Sequence, residues 1–182
     1  MDDAYWEKHA EVHESNYNAE FAKFIRDLAG QLHCNSVLEV GCNAANDLGL
    51  FNESSGVIGI DYNPKIVKLA KQRFPAFSLM AGTATSLPYQ NSSIDMVFTH
   101  GFLNYTDDGM VGPVIDEMFR VAARYVVNCE MLGDDSPIGG QGRRGRNMYK
   151  KWLDYKVKII SNVEMHEDID PETPRFLLVR KL

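Results

Sequence analysis

A chain of 182 residues with 45% hydrophobic and 24% charged side chains has the make-up of one folded domain, which excludes a disordered or fibrous protein. Its 19 Lys and Arg against 25 Asp and Glu leave a net charge of −6, which disfavours nucleic acid as a partner. No run reaches the roughly 18 apolar residues of a membrane span, and Met1-Asp2-Asp3-Ala4-Tyr5-Trp6-Glu7 opens acidic where a signal peptide opens basic, so a soluble cytoplasmic protein is expected.

Residues 1–18 are aromatic and acidic and read as a short helix or an ordered lid on a single domain spanning 1–182. His9 and His13 share a helical face, but Ala10 stands where a metalloprotease helix needs Glu, so no metal is expected and packing or an aromatic lid with Tyr5, Trp6 and Tyr17 is preferred. From Ala19 to Leu32 the apolar residues recur every three or four positions, predicting an amphipathic helix. Ser36 to Val40 and Val57 to Asp61 read as strands, with a helix-compatible stretch between them. Asn63-Pro64 predicts a cap and first turn for a helix reaching about Arg73.

Further strands are predicted at Phe77 to Met80, Ile94 to Thr99 and Tyr125 to Cys129, with a helix from Met110 to Ala123. Gly133 to Gly145 is too rich in glycine for regular structure. A helix from Asn147 to Tyr155 and strands at Val157 to Val163 and Arg175 to Arg180 complete the chain. Strands alternating with helices indicate an α/β fold, doubly wound, with a mostly parallel sheet covered by helices on both faces and an antiparallel hairpin at one edge. Cys34, Cys42 and Cys129 form no C-x-x-C pair, and reduced thiols fit best.

The first strand runs into Glu39-Val40-Gly41-Cys42-Asn43-Ala44-Ala45-Asn46, and Asp61 ends the second strand twenty positions after Gly41. In a doubly wound sheet that acid can accept hydrogen bonds from both hydroxyls of a ribose. Asn43 and Asn46 occupy the second and third glycines of the dinucleotide fingerprint, which makes NAD the weaker reading. Glu39 would repel a phosphate but suits a nucleoside that carries an ammonium and a sulfonium, although a solvated or capping acid is the plainer alternative.

Val37-Leu38-Glu39-Val40-Gly41-Cys42, Gly59-Ile60-Asp61, Gly82-Thr83-Ala84 with Leu87-Pro88-Tyr89, and Ile94-Asp95-Met96-Val97-Phe98 resemble in order and spacing the motifs of class I S-adenosylmethionine-dependent methyltransferases. The resemblance implies a Rossmann-like sheet of seven strands with the last antiparallel, and S-adenosyl-L-methionine as cofactor. Carried over, the cofactor-binding residues are Glu39, Gly41, Cys42, Asn43, Asp61, Tyr62, Thr83, Ala84 and Thr99. Ala45 replaces a usual glycine, and Thr83 stands where an acid often meets the adenine. Gly41-Cys42-Asn43 with Asn46, Val97-Phe98-Thr99-His100-Gly101 and Gly142-Arg143-Arg144-Gly145-Arg146, with Trp6 and His9, further resemble methylases associated with pseudaminic acid biosynthesis. That resemblance implies an acidic sugar or sugar nucleotide of bacterial surface polysaccharide synthesis as acceptor.

Methyl transfer needs alignment and, for some acceptors, removal of a proton. His100, directly after the fourth strand, is the leading general base, or a residue that only shapes the pocket; Tyr105 and Asp107 are weaker candidates for the same task. Arg143, Arg144 and Arg146 could clamp an anionic acceptor, form a solvated loop or contact nucleic acid, and Trp6, Tyr17 and Tyr105 are the remaining acceptor candidates. A methyltransferase for a base or other small metabolite, or a non-catalytic adenosine-binding module, remains open.

Overall fold

The computed structural model describes residues 4–8, 10, 19–53, 56–140 and 142–182. His9, His13 and Tyr17 lie outside the described residues. The β-branched runs form strands β1 (Ser36–Val40), β2 (Gly56–Asp61), β3 (Ser78–Ala81), β4 (Ile94–His100), β5 (Ala122–Glu130), β6 (Val157–Glu164) and β7 (Arg175–Lys181). They make one sheet in the order β3-β2-β1-β4-β5-β7-β6. Pairing is parallel from β3 through β5, while β7 runs antiparallel to both β5 and β6.

Flanking it are α1 (Ala19–Gln31), α2 (Pro64–Arg73), α3 (Asp108–Val121) and α4 (Met148–Trp152). The Asn63 side chain accepts from the amides of Lys65 and Ile66, and Pro64 occupies the first turn, as the Asn-Pro pair predicts. Phe21, Ile25 and Ala29 of α1 and Val67 and Ala70 of α2 pack on one sheet face with Val37, Met96, Phe98 and Val127. The opposite face packs Val111, Val114, Ile115 and Met118 of α3 and Trp152 of α4 on Leu38, Val40, Val97 and Val126. Side chains alternate between these faces along each strand, and that alternation assigns the polar residues at the strand ends.

One predicted element is absent. Between β1 and β2 the described residues 41–53 form turns instead of a helix. Gly41, Asn43 and Ala45 have φ of 78°, 47° and 59°, and a left-handed residue at every second position forbids a continuous right-handed helix. Gly41 is held to glycine twice over, since a Cβ there would stand 2.2 Å from Cδ2 of Phe102.

Candidate active site

β1 has β2 on one side and β4 on the other, so the chain leaves the sheet in opposite directions beside it; in open α/β sheets ligands bind at this switch point. A cavity of about 860 Å3 opens there, lined by the ends of β1, β2 and β4 and by the loops after β3 and between β6 and β7. Among the expected residues, Glu39, Gly41, Cys42, Asn43, Asp61, Tyr62, Thr83, Ala84, His100, Trp6, Tyr105 and Arg143 line it.

The glycine turn keeps its donors to itself. The amides of Gly41 and Cys42 donate to the Ile60 carbonyl at 2.8 and 3.0 Å, and Ala45 donates to the Cys42 carbonyl at 2.7 Å. The Asn43 amide donates to Asp61 Oδ2 at 3.0 Å and that of Ala44 to Asn43 Oδ1 at 2.7 Å. A pyrophosphate would need such amides pointing outward, so the turn is not a phosphate cradle. Asp61 also accepts from the Asn63 amide at 3.0 Å through Oδ1. A carboxylate has about four lone-pair sites, so both oxygens keep capacity for ribose hydroxyls. Burial raises the Asp61 pKa against the pull of these amides.

Glu39 is 3% exposed, and its Oε2 is buried with no hydrogen-bond partner. Burial, then the Asp47 charge beside it, holds its carboxyl well above the usual range. An ammonium group would satisfy that oxygen and restore the charge. The acid-rich wall and the spare capacity of Asp61 and Glu39 thus fit a cationic nucleoside, and S-adenosylmethionine has that chemistry.

His100 is placed at the cavity floor as expected, but the general-base role is corrected. Its Nδ1 lies 2.7 Å from Asp47 Oδ2 and its Nε2 2.8 Å from Asp170 Oδ2, and Phe21 of α1 stacks on the ring with centroids 3.7 Å apart. Burial alone would lower its pKa; the Asp47 charge and the hydrogen bonds from both acids outweigh it and raise the pKa well above the usual value. A doubly bonded imidazolium has no lone pair with which to take a proton from an acceptor.

Three further expectations are corrected. Thr99 precedes His100 and so faces the opposite side of the sheet; it is fully buried, accepts from Asn128 Nδ2 at 2.8 Å, and does not line the cavity. Arg146 is fully buried outside the cavity, where it donates to Asp108 (2.7 Å), Asp135 (2.8 Å) and the carbonyls of Leu103 (2.9 Å) and Thr106. Arg144 also turns away, onto Asp108 and the Asp135 carbonyl. Only Arg143 of the three reaches the cavity, over the Tyr105 ring at 5.6 Å and paired with Glu172 at 2.9 and 2.7 Å. Trp6 meets Tyr105 edge to face at 4.9 Å.

Sequence reasoning missed Asp47, Asp170, Glu172, Phe21 and Phe102, all of which line the cavity. Asp170-Pro171-Glu172-Thr173-Pro174 carries a turn signal between two strands, but nothing in it places Asp170 beside His100, 70 positions away, or Glu172 on Arg143.

Residues 37–124 match the family model described as a methyltransferase domain. The match, just under half of the chain, makes this segment similar to a methyltransferase domain. No curated protein matches the sequence. In fold, the chain is similar to a SAM-dependent methyltransferase from Aquifex aeolicus (14% identity, TM-score 0.72, all of both chains covered). It is likewise similar to the magnesium protoporphyrin IX methyltransferase of Synechocystis with bound SAH (15%, TM-score 0.69, 96% of this chain and 84% of that one). A third is phosphoethanolamine N-methyltransferase 1 of Haemonchus contortus (16%, TM-score 0.72, 98% and 48%). Among the described residues no helix is long and apolar enough to cross a membrane.

Proposed function

We propose that the protein transfers a methyl group to a small molecule held in the switch-point cavity, with Glu39, Gly41, Cys42, Asn43, Asp61, Tyr62, Thr83 and Ala84 on the cofactor side. The observation that carries this reading is the glycine turn, whose amides are spent internally while Glu39 and Asp61 face the cavity. S-adenosylmethionine supplies, when bound, an electrophilic methyl group on a sulfonium. Asp61 accepts the ribose hydroxyls, Glu39 Oε2 receives the ammonium, and Tyr62, Thr83 and Ala84 border the adenine.

The remaining task is alignment and exclusion of water. His100 acts as a positioning residue: its imidazolium ties Asp47, after β1, to Asp170, between β6 and β7, and so fixes two walls of the cavity relative to β4. Trp6, Tyr105 and Phe102 give the acceptor an apolar wall. The acidic sugar or sugar nucleotide implied by resemblance would have to reach Arg143 in place of Glu172, since Arg144 and Arg146 lie elsewhere.

The test is incubation with methyl-labelled S-adenosylmethionine and fractionated small-molecule extract. Label in a product heavier by one CH2 supports the reading. Binding of the cofactor with no transfer to any fraction would instead identify an adenosine-binding module.

A further inference from the structure

The charge inside the cavity is lopsided. Asp47, Asp61, Asp107, Asp170 and Glu172 line it, besides a Glu39 whose buried carboxyl is held toward its neutral form, against two cations among the described residues, His100 and Arg143. Both cations are already committed: His100 lies between Asp47 and Asp170, and Arg143 is bidentate on Glu172. An anionic acceptor would therefore meet no cation that is not already neutralised, and like charge at close range costs several kcal/mol. Trp6 and Tyr105, also in the lining, form an edge-to-face aromatic pair with Arg143 over Tyr105.

We infer that the acceptor is an amine carrying a flat apolar group, drawn in as its ammonium by the cavity's excess of carboxylates over cations and stacked on the Trp6–Tyr105 wall. This rests on the methyltransferase reading above and deepens it. The ammonium gives one proton to water at the rim, where Asp107 is exposed. The freed nitrogen lone pair then forms the bond to the methyl carbon. The carbon–sulfur bond breaks with its electrons going to sulfur, which leaves a neutral thioether and a methylated ammonium.

Tyramine and 4-hydroxyphenylacetate form a suitable pair of probes, alike in ring and hydroxyl and opposite in charge. Calorimetry on the full chain, first with S-adenosylhomocysteine alone and then with each probe added, separates the two readings. Failure of S-adenosylhomocysteine to bind overturns the parent reading. Given that binding, tyramine is expected to bind at least about tenfold more tightly than the acid, with or without S-adenosylhomocysteine present. Glu172→Gln leaves Arg143 uncommitted and should bring the two probes within about threefold of each other. The Glu172 side chain is 60% exposed, so the variant is expected to melt as the parent does. Tighter binding of the acid, binding of neither probe, or an unchanged ratio in a folded Glu172→Gln variant overturns the inference.

Discussion

Asp61 and His100 show how one side chain can serve both the fold and the site. Asp61 holds the glycine turn through the Asn43 and Asn63 amides and presents its remaining lone pairs to the cavity. Asp61→Asn keeps the size but loses the charge, and should weaken S-adenosylhomocysteine binding by about 1.5–3 kcal/mol, the worth of charge-assisted hydrogen bonds, as read by calorimetry. His100 is a charge tie. Because its folded pKa is raised, its contribution to stability is fully present below the unfolded value of about 6.5 and is lost as pH rises through the folded value. His100→Gln should therefore lose about 1.5–3 kcal/mol near pH 6, measured by urea denaturation, and the gap to wild type should narrow at higher pH. A gap that widens with pH would mean that the imidazole is neutral in the fold. The position of His100 was legible in the sequence because it follows a strand end; its protonation was not, because both acids that set it come from distant loops.

The loop after β5 and the buried strand ends illustrate what whole elements add. Gly133 and Gly145 cross so closely that a Cβ on Gly145 would stand 2.6 Å from the Gly133 Cα, which pins the loop's two ends together. Arg146 anchors this crossing to α3 through Asp108 and to the loop itself through Asp135. Arg146→Ala should cost about 3 kcal/mol, the low end for breaking a buried ion pair because both acids keep contact with water. Arg143→Ala, on an exposed partner, should cost less than about 1 kcal/mol in the same denaturation assay. An arginine-rich sequence advertises anion binding, but only the buried or exposed state of each residue separates an anchor from a ligand, and three arginines within four positions give no hint of it.

On the far face, Trp152 Nε1 donates to Asn128, Asn128 donates to Thr99, and Glu130 accepts from the Asn104 amide. Burial pushes the Glu130 carboxyl up to about 7, so its contribution to stability is present below 4.5 and is lost as pH rises through about 7. Glu130→Gln should remove about 3 kcal/mol of pH dependence across that window and leave the variant more stable than wild type at pH 8. Equal slopes in the two proteins would place the dependence elsewhere. Thr99 belongs to this face, and the period of two along β4 already implied that Thr99 and His100 cannot serve the same cavity.

Across the whole molecule, the mostly parallel sheet with an antiparallel hairpin at one edge was legible because it follows from strands alternating with helices and from the short connection between the last two strands. The turn that replaces a helix between β1 and β2 was not, because Asn43 and Ala45 adopt left-handed backbone that their composition does not announce. The charge balance of the cavity was hidden for a different reason: it sums residues from β1, the turn after it, β2, the loop before α3 and the loop before β7, which no sequence window contains. The central claim is that this acid-rich switch point holds S-adenosylmethionine, and calorimetric titration of the full chain with S-adenosylhomocysteine and, in parallel, NAD tests it most directly. One equivalent of S-adenosylhomocysteine bound per chain, weakened by Asp61→Asn, and no heat with NAD is the predicted result; binding of NAD, or S-adenosylhomocysteine affinity untouched in a folded Asp61→Asn variant, would contradict it.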